Sequence, residues 1–308
     1  MPSYANLDAA ETQYFDSELS RLVAKAIETS YAHLSFRRLF PINHEGHPAD
    51  EHIIFQIYDA VGSAKIIAAY ADDLPAADVS AREVSFPIRT VGTSFRYSVH
   101  EIWAAKKTGK PLEQRKVNAC NRAVEEKLND IAWNGDPTSG LLGFLKNPNV
   151  PISNVIDPGA GTEWVNKTPD QILADINTLF SAQDEVTNQV EQATVLMLPV
   201  KQWNYINNTR LSAESETSIM QYLIKNSAWL TGPESIQKVR ELKGIGVGGT
   251  DVMYIYNPDP DKLEMHITLE IDFLEPQQVN LSFKVPVMAR CGGMHIYYPM
   301  SVSRAEGI

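Results

Sequence analysis

Cysteine is scarce: the chain has two in 308 residues, Cys120 and Cys291. They lie far apart and form no CxxC, which excludes a zinc ribbon, leaves no basis for a disulfide scaffold, and fits a reducing compartment. Positive charge is also short, with 27 Lys and Arg against 38 Asp and Glu, a formal net charge of -11, and no basic run to compensate. Gripping duplex nucleic acid takes clustered cations on its phosphates, so direct binding is disfavoured, although merely enclosing nucleic acid is not. No stretch of about 18 uninterrupted apolar residues is present, so no transmembrane helix is expected. The start, MPSYANLDAAETQYF, lacks the positive and apolar regions of a secretory signal, so the expectation is a soluble chain made in the cytoplasm, with no membrane partner. Missing too are internal repeats, low-complexity tracts, a Pro-rich linker, a G-x-S-x-G elbow, a Walker loop and any Cys-His pairing at recognisable spacing.

What is present describes a folded protein. Hydrophobic residues make up 44% and charged residues 21%, close to the averages for globular chains, which argues against disorder and against a coiled coil as the overall class. The length suits two domains or one large one. Residues 1–52 read as an arm: a polar start, a helix over residues 11–31 with Leu19, Leu22, Val23, Ala26 and Ile27 on one face, then a loop over residues 37–50. Residues 53–98 change to β patterning, with IIFQIY and KIIAAY runs, turn chemistry in ADDLPAAD, alternation at Val84, Phe86 and Ile88, and a last run from Val91 to Val99. One long β-hairpin with its tip near residues 72–78 is the expectation.

Residues 99–167 begin with HEIWAAKK, which Gly109 and Pro111 should break or kink. Val117, Cys120, Val124, Leu128 and Ile131 then recur at helical spacing, with Arg122 and Glu126 one turn apart on the polar face. In residues 168–260 an α/β pattern follows. Thr168, Pro169 and Gln171 make a capping box ahead of an apolar face, and strands are expected at residues 193–198, 236–242 and 251–256, with helices near Pro199 and over residues 218–225. Residues 261–308 are β throughout: Leu263, Met265, Ile267, Leu269 and Ile271 alternate, as do Val279, Leu281, Phe283 and Val285, predicting two half-buried strands paired around EPQQ.

Four motifs carry a chemical option, and each has a structural alternative. WNGDPTSGLLGFLKNP at residues 133–148 is either a glycine loop for a ligand or the joint that ends a long helix. KGIGVGGT at residues 243–250 matches G-x-G-x-x-G formally, but a strand follows where a dinucleotide site needs a helix, so a flexible hairpin turn is the better account. His44, His47 and His52 cluster, yet HEGH is not HExxH and a loop does not align two imidazoles; His33, His100, His266 and His295 read as isolated. NPDPDKLE at residues 257–264 lacks the glycine and terminal glutamate of a calcium loop and reads as a turn with two solvated acids, Asp259 and Asp261. No catalytic, cofactor-binding or metal-binding residue is assigned, and no cofactor is expected.

The order of these parts resembles the major capsid proteins of tailed bacteriophages with the Hong Kong 97-type fold, which are related to encapsulin shell proteins. Two stretches carry the resemblance: AVEEKLNDIAWNGDPTSGLLGF at residues 123–144, a helix ending in an aromatic, Asn-Gly and a Gly-Leu pair, and MHITLEIDFLEPQQVNLSFKVPVMARCGGMHIYYPMSV at residues 265–302. The resemblance implies an α+β fold with an N-terminal arm (1–52), an extended β-hairpin loop (53–98), a spine helix with peripheral domain (99–167), an axial domain (168–260) and returning strands (261–308). It implies a non-enzymatic homo-oligomer, built as pentamers and hexamers into an icosahedral shell in the host bacterial cytoplasm. That shell would enclose double-stranded DNA without sequence-specific binding, with scaffold, portal or decoration proteins as further partners. Some members crosslink through a loop lysine; Lys65 is the lone lysine of residues 53–98, and crosslinking is not carried over to it. The alternatives are an encapsulin-like cargo shell and a soluble α+β enzyme whose active site is assembled from distant residues.

Overall fold

The structure is a computed structural model that describes residues 34–61, 78–108, 114–159, 161–212 and 214–308. The helix expected over residues 11–31, the β-run at 65–70 with Lys65, and the turn at 71–77 lie outside these residues. From Leu34 onward the chain forms one unit. It opens with a helical turn, Phe36–Leu39, and a two-residue strand β1, Ile42–Asn43, where a plain loop was expected. Phe36 and Leu39 are buried, which explains why so short a segment orders.

Strands β2 (His52–Val61) and β3 (Asp78–Pro87) pair antiparallel along their full length as a ribbon. The next strand, β4 (Arg89–Ser98), was expected in the same hairpin but leaves it. Ile88 N–H donates to Glu51 O at 2.8 Å, one step past Pro87, and the Ile88 side chain turns into the core, so the chain changes sheets there. Helices Val99–Thr108 and Gln114–Asn134 follow, and Gly109 and Pro111, where a break or kink was expected, lie outside the described residues. The second, here the long helix, buries Cys120, Val124, Leu128 and Ile131 as its spacing predicts.

Strand β5 (Ile152–Asn154) leads to helix Pro169–Thr187, whose N-terminus carries the full capping box between Thr168 and Gln171. Strand β6 (Val195–Pro199), helices Val200–Asn208 and Ile219–Asn226, and strands β7 (Ile236–Val239) and β8 (Val252–Tyr256) complete the α/β region. Strands β9 (Leu263–Phe273), β10 (Gln277–Val279), β11 (Ser282–Ile296) and β12 (Val302–Glu306) end the chain.

Two five-stranded sheets organise these parts. In the first, β11 is central: β4 pairs along one edge, while β9 and the short β10 share the other, and β1 adds in parallel outside β9. The second runs β5-β12-β8-β6-β7. Its central strands are buried on both faces, which is why VLML and VMYIY are continuous apolar runs without alternation. Period-2 geometry divides them between two cores. Leu196, Leu198, Met253 and Ile255 face helices Pro169–Thr187, Val200–Asn208 and Ile219–Asn226. Met197, Val252, Tyr254 and Tyr256 face the long helix and the first sheet. Each tyrosine keeps its hydroxyl satisfied inside the core, Tyr254 donating to the Leu145 carbonyl at 3.3 Å and Tyr256 to that of Leu39 at 2.7 Å.

The half-buried expectation for β9 fails over its first six residues, Leu263 to Thr268, all of which are buried. Leu263, Met265 and Ile267 enter the core, as the alternation predicts. The opposite face, with Glu264 and His266, is buried too because the root of the ribbon lies over it.

Candidate functional site

The long helix ends at Asn134, and the chain supplies partners for its last carbonyls. Gly135 N–H donates to Ile131 O, Phe144 N–H to Ala132 O and Leu145 N–H to Trp133 O, each at 2.9 Å. Gly135 takes a left-handed φ of +70°, which permits the reversal at no steric cost. Asp136 and Leu141 then exchange backbone hydrogen bonds at 2.9 and 3.0 Å, closing a small loop. Inside that loop the Asp136 carboxylate accepts from the Thr138 and Ser139 hydroxyls, and the Thr138 hydroxyl holds its pKa below the usual value.

Apolar residues beyond the loop fix the joint to the body. Trp133, Phe144 and Phe40 form an aromatic cluster with centroids 4.9 to 5.8 Å apart, and Tyr254 packs on Phe144 at 5.1 Å. Met294 N–H donates to Leu142 O at 2.9 Å, tying the loop to β11, and Arg89 Nε donates to Ser139 O at 3.0 Å beside the ribbon. The joint therefore joins the long helix, the ribbon's exit and the central strand of the first sheet. Its polar groups are consumed internally, which leaves the ligand-loop reading without free donors in that turn.

The ribbon presents two faces. Phe55 and Phe86, with centroids 6.0 Å apart, point to the body, while Ile54 and Tyr58 on the outer face are 61% and 65% exposed. Beneath the inner face lies a polar cluster. Glu264 is within 2.9 Å of His266 Nε2 and accepts from Asn43 Nδ2 at 2.9 Å and from the Tyr297 hydroxyl. Burial pushes this carboxyl up, but the bonds from His266, Tyr297 and Asn43 outweigh it and bring its pKa down to about 2. Burial and the bonded Glu264 raise the Tyr297 hydroxyl. His295 sits beside the group, its ring 4.8 Å from His266 and 4.2 Å from Phe86, and burial and then His266 lower its pKa to about 3.

His266 and His295, which read as isolated in sequence, are thus neighbours. The β9–β11 register sets Gly293 opposite His266 and His295 opposite Glu264. A signal was available: Met-His-Ile occurs in both strands, at residues 265–267 and 294–296. By contrast, the three loop histidines go separate ways. His44 Nδ1 lies 3.0 Å from Ile267 O, His47 accepts from Ala49 N–H, and His52 faces the Ser85 hydroxyl at 3.4 Å. Among the described residues no group of three His, Cys, Asp or Glu side chains is arranged to hold a metal ion.

The glycine motif is a 3-10 turn, Val247–Gly249, leading into β8. It is not a hairpin turn, because β7 and β8 both pair with β6 and lie on opposite sides of it. Asp261 N–H donates to Asp259 Oδ1 at 3.1 Å, a local turn as expected. Cys120 and Cys291 are free and buried, and burial pushes the Cys291 thiol up to about 11. A groove of about 180 Å³ beside edge strand β5 is lined by Ile152, Leu179, Val186 and Met300, below the ~300 Å³ at which small-molecule sites begin. No helix among the described residues is long and apolar enough to cross a membrane.

Comparison with known proteins is consistent along the chain. A family model described as major capsid protein matches residues 62–308. No curated protein sequence matches. Among solved structures, the capsid of Myoviridae phage XM1 aligns with a TM-score of 0.78 at 18% identity, covering 99% of this chain and 100% of that one. The capsid of an empty GTA particle aligns at 0.60 with 11% identity, over 94% and 97% of the two chains. A virus-like particle from Pyrococcus furiosus aligns at 0.54 with 11% identity, over 96% and 98%. At these identities the likeness is one of fold.

Proposed function

Because the chain belongs to the major capsid protein family, we propose that its copies assemble as pentamers and hexamers into an icosahedral phage head that encloses double-stranded DNA. The family match over residues 62–308 carries this reading. The fold is the Hong Kong 97-type capsid fold, α+β in class. In the proposed division of labour the α/β region, about residues 168–260, meets its copies around the capsomer centre, and the ribbon reaches over a neighbouring subunit. The exposed Ile54 and Tyr58 on the ribbon's outer face support the second part, since large apolar side chains held out from the body gain by being covered.

The role is structural. Repeated contacts, each modest, make a closed shell far more stable than any single pair, and symmetric closure needs no catalytic group. A net charge of -11 suits a wall that surrounds DNA without gripping its phosphates. Scaffold, portal and decoration proteins are the further partners, the virion is the destination, and the host cytoplasm is the place of assembly.

The test is direct. The purified chain is imaged by negative-stain electron microscopy under assembly conditions, and particles are assayed for nuclease-protected DNA. Closed shells, with protected DNA when taken from infected cells, are expected. Absence of shells overturns the reading, and shells that hold a specific protein cargo and no DNA replace it with an encapsulin-like compartment.

A further inference from the structure

The root of the ribbon rests on a buried imidazole. His295 is 1% exposed, neither ring nitrogen reaches a well-aligned hydrogen bond, and the backbone of Gly292 is the polar group beside it that favours a charged ring, against the larger opposing effect of burial. Phe86 covers its ring at 4.2 Å and Phe55 lies at 5.8 Å, so the ribbon itself is the lid that keeps water away. Beside it, Ile53 Cδ1 stands 3.0 Å from the Cβ position of Gly292, so the glycine lets the ribbon root pack close to β11.

We propose that His295 is a proton-operated latch: its neutral ring seats the ribbon root against β9 and β11, and a proton on that ring releases the ribbon. The seat is built for a neutral ring. An unpaired charge out of water is costly, and the attraction of a cation to the Phe86 ring is smaller than the hydration lost. The obvious counter-charge is already engaged, because Glu264 is bonded to His266, Tyr297 and Asn43. The titratable groups that act on His295 are Glu264 and His266 from β9; Tyr297, just beyond β11, is bonded to both of them, and Glu45 after β1 acts on Tyr297. The ribbon contributes Ile53, Phe55 and Phe86, none of which titrates. Lifting the ribbon opens one direction to water, and water is what a protonated ring needs.

The sign follows from linkage. The seated ring binds its proton below the usual histidine range, so the seated form holds fewer protons than the released form as pH falls from about 6.5. In that window the ratio of released to seated ribbon rises by up to about tenfold per pH unit. Above about 6.5 the ratio is constant. The latch does not depend on shell formation, because every group in it belongs to one chain.

Hydrogen-deuterium exchange on the full chain, corrected for the intrinsic pH dependence of exchange, tests it at pH 7.5 and 5.0. Amide protection over residues 52–58 and 81–87 is expected to fall by at least tenfold at the lower pH, while protection in β6 and β8 stays constant. His295→Leu, which keeps an apolar body and cannot take a proton, is expected to hold its ribbon protection at both values. In the wild-type chain, the ¹⁵N shifts of the His295 ring are expected to titrate with the same midpoint as ribbon exchange; this measurement decides the matter if the variant fails to fold. Equal ribbon protection at both pH values, loss of protection in His295→Leu like that of the wild type, or a His295 titration that leaves the ribbon unchanged overturns the latch.

Discussion

Gly135 and Gly143 meet backbone to backbone across the joint that ends the long helix. A Cβ on Gly135 would stand 2.6 Å from the Gly143 nitrogen, and one on Gly143 would run into the Gly135 nitrogen and approach Trp133 O at 2.8 Å. Neither obstacle is the end of a flexible side chain. Gly140 in the same loop differs: its φ is +74°, but its Cβ would touch only Pro87 Cγ at 3.4 Å. Gly140→Ala is therefore expected to cost the left-handed strain alone, about 1–2 kcal/mol. Gly143→Ala must force the helix end and the Leu142–Phe144 stretch apart and should cost more. Thermal unfolding of the two variants measures the order, and a Gly143→Ala protein as stable as Gly140→Ala contradicts it.

Lys167 and Asp175 form a buried ion pair at 2.7 Å, with side chains 1% and 6% exposed. Lys167 Nζ also donates to Ile156 O at 2.8 Å, and Trp164 Nε1 donates to Asp175 at 3.1 Å. Burial pushes the Asp175 carboxyl up against the opposing pull of Lys167 and Trp164. Lys167→Met leaves that carboxylate uncompensated and should cost about 3–5 kcal/mol near neutral pH. An uncompensated buried carboxyl has a folded pKa above its unfolded value of about 4, so the deficit should grow as pH rises through that value and shrink below it. Adding Asp175→Asn should restore part of the loss. Urea unfolding of both variants at pH 4 and pH 8 checks the size and the direction.

Thr168 caps helix Pro169–Thr187, accepting from Gln171 N–H while the Gln171 side chain returns a bond to Thr168 N–H. Thr168→Ala should destabilise by about 1 kcal/mol, and Thr168→Ser by far less. Denaturant midpoints resolve the difference, and equal losses for both substitutions argue against the hydroxyl's role.

That cap was legible in sequence because its partners sit three residues apart; Ser218 and Gln221 make a second such box at helix Ile219–Asn226, where only the helix was expected. The apolar stripe of the long helix and the run VMYIY were legible for the same reason: their signal lies within one element. The exit of β4 from the hairpin was not. Its alternation at Val91, Phe95 and Tyr97 fits the ribbon as well as it fits β11, and the choice depends on a partner about 190 residues away, as in the pairing of Phe95 with Val285. The His266 and His295 pair was only half legible: Met-His-Ile recurs in the two strands, but residues on paired strands become neighbours only through register. The turn at residues 243–250 was placed correctly as a turn. What it connects was not, because a sheet order in which β6 separates β7 from β8 leaves no local trace.

The ribbon's outer face offers the sharpest check on assembly. Ile54 and Tyr58 are 61% and 65% exposed, and Tyr58 donates to Gln56 at 2.7 Å on the same face. Neither supports the inner seat formed by Phe55 and Phe86, so Ile54→Ser combined with Tyr58→Ser should change subunit stability by no more than about 0.5 kcal/mol per site. If a neighbouring copy covers this face, the double variant loses apolar burial at every repeat of the contact, and the loss multiplies around the shell. Shell yield, followed by sedimentation and electron microscopy, should therefore fall steeply while the unfolding midpoint of the isolated subunit hardly moves. Shells formed at wild-type yield would place the interface elsewhere. A midpoint that falls with the yield would mean that this face supports the fold of its own chain.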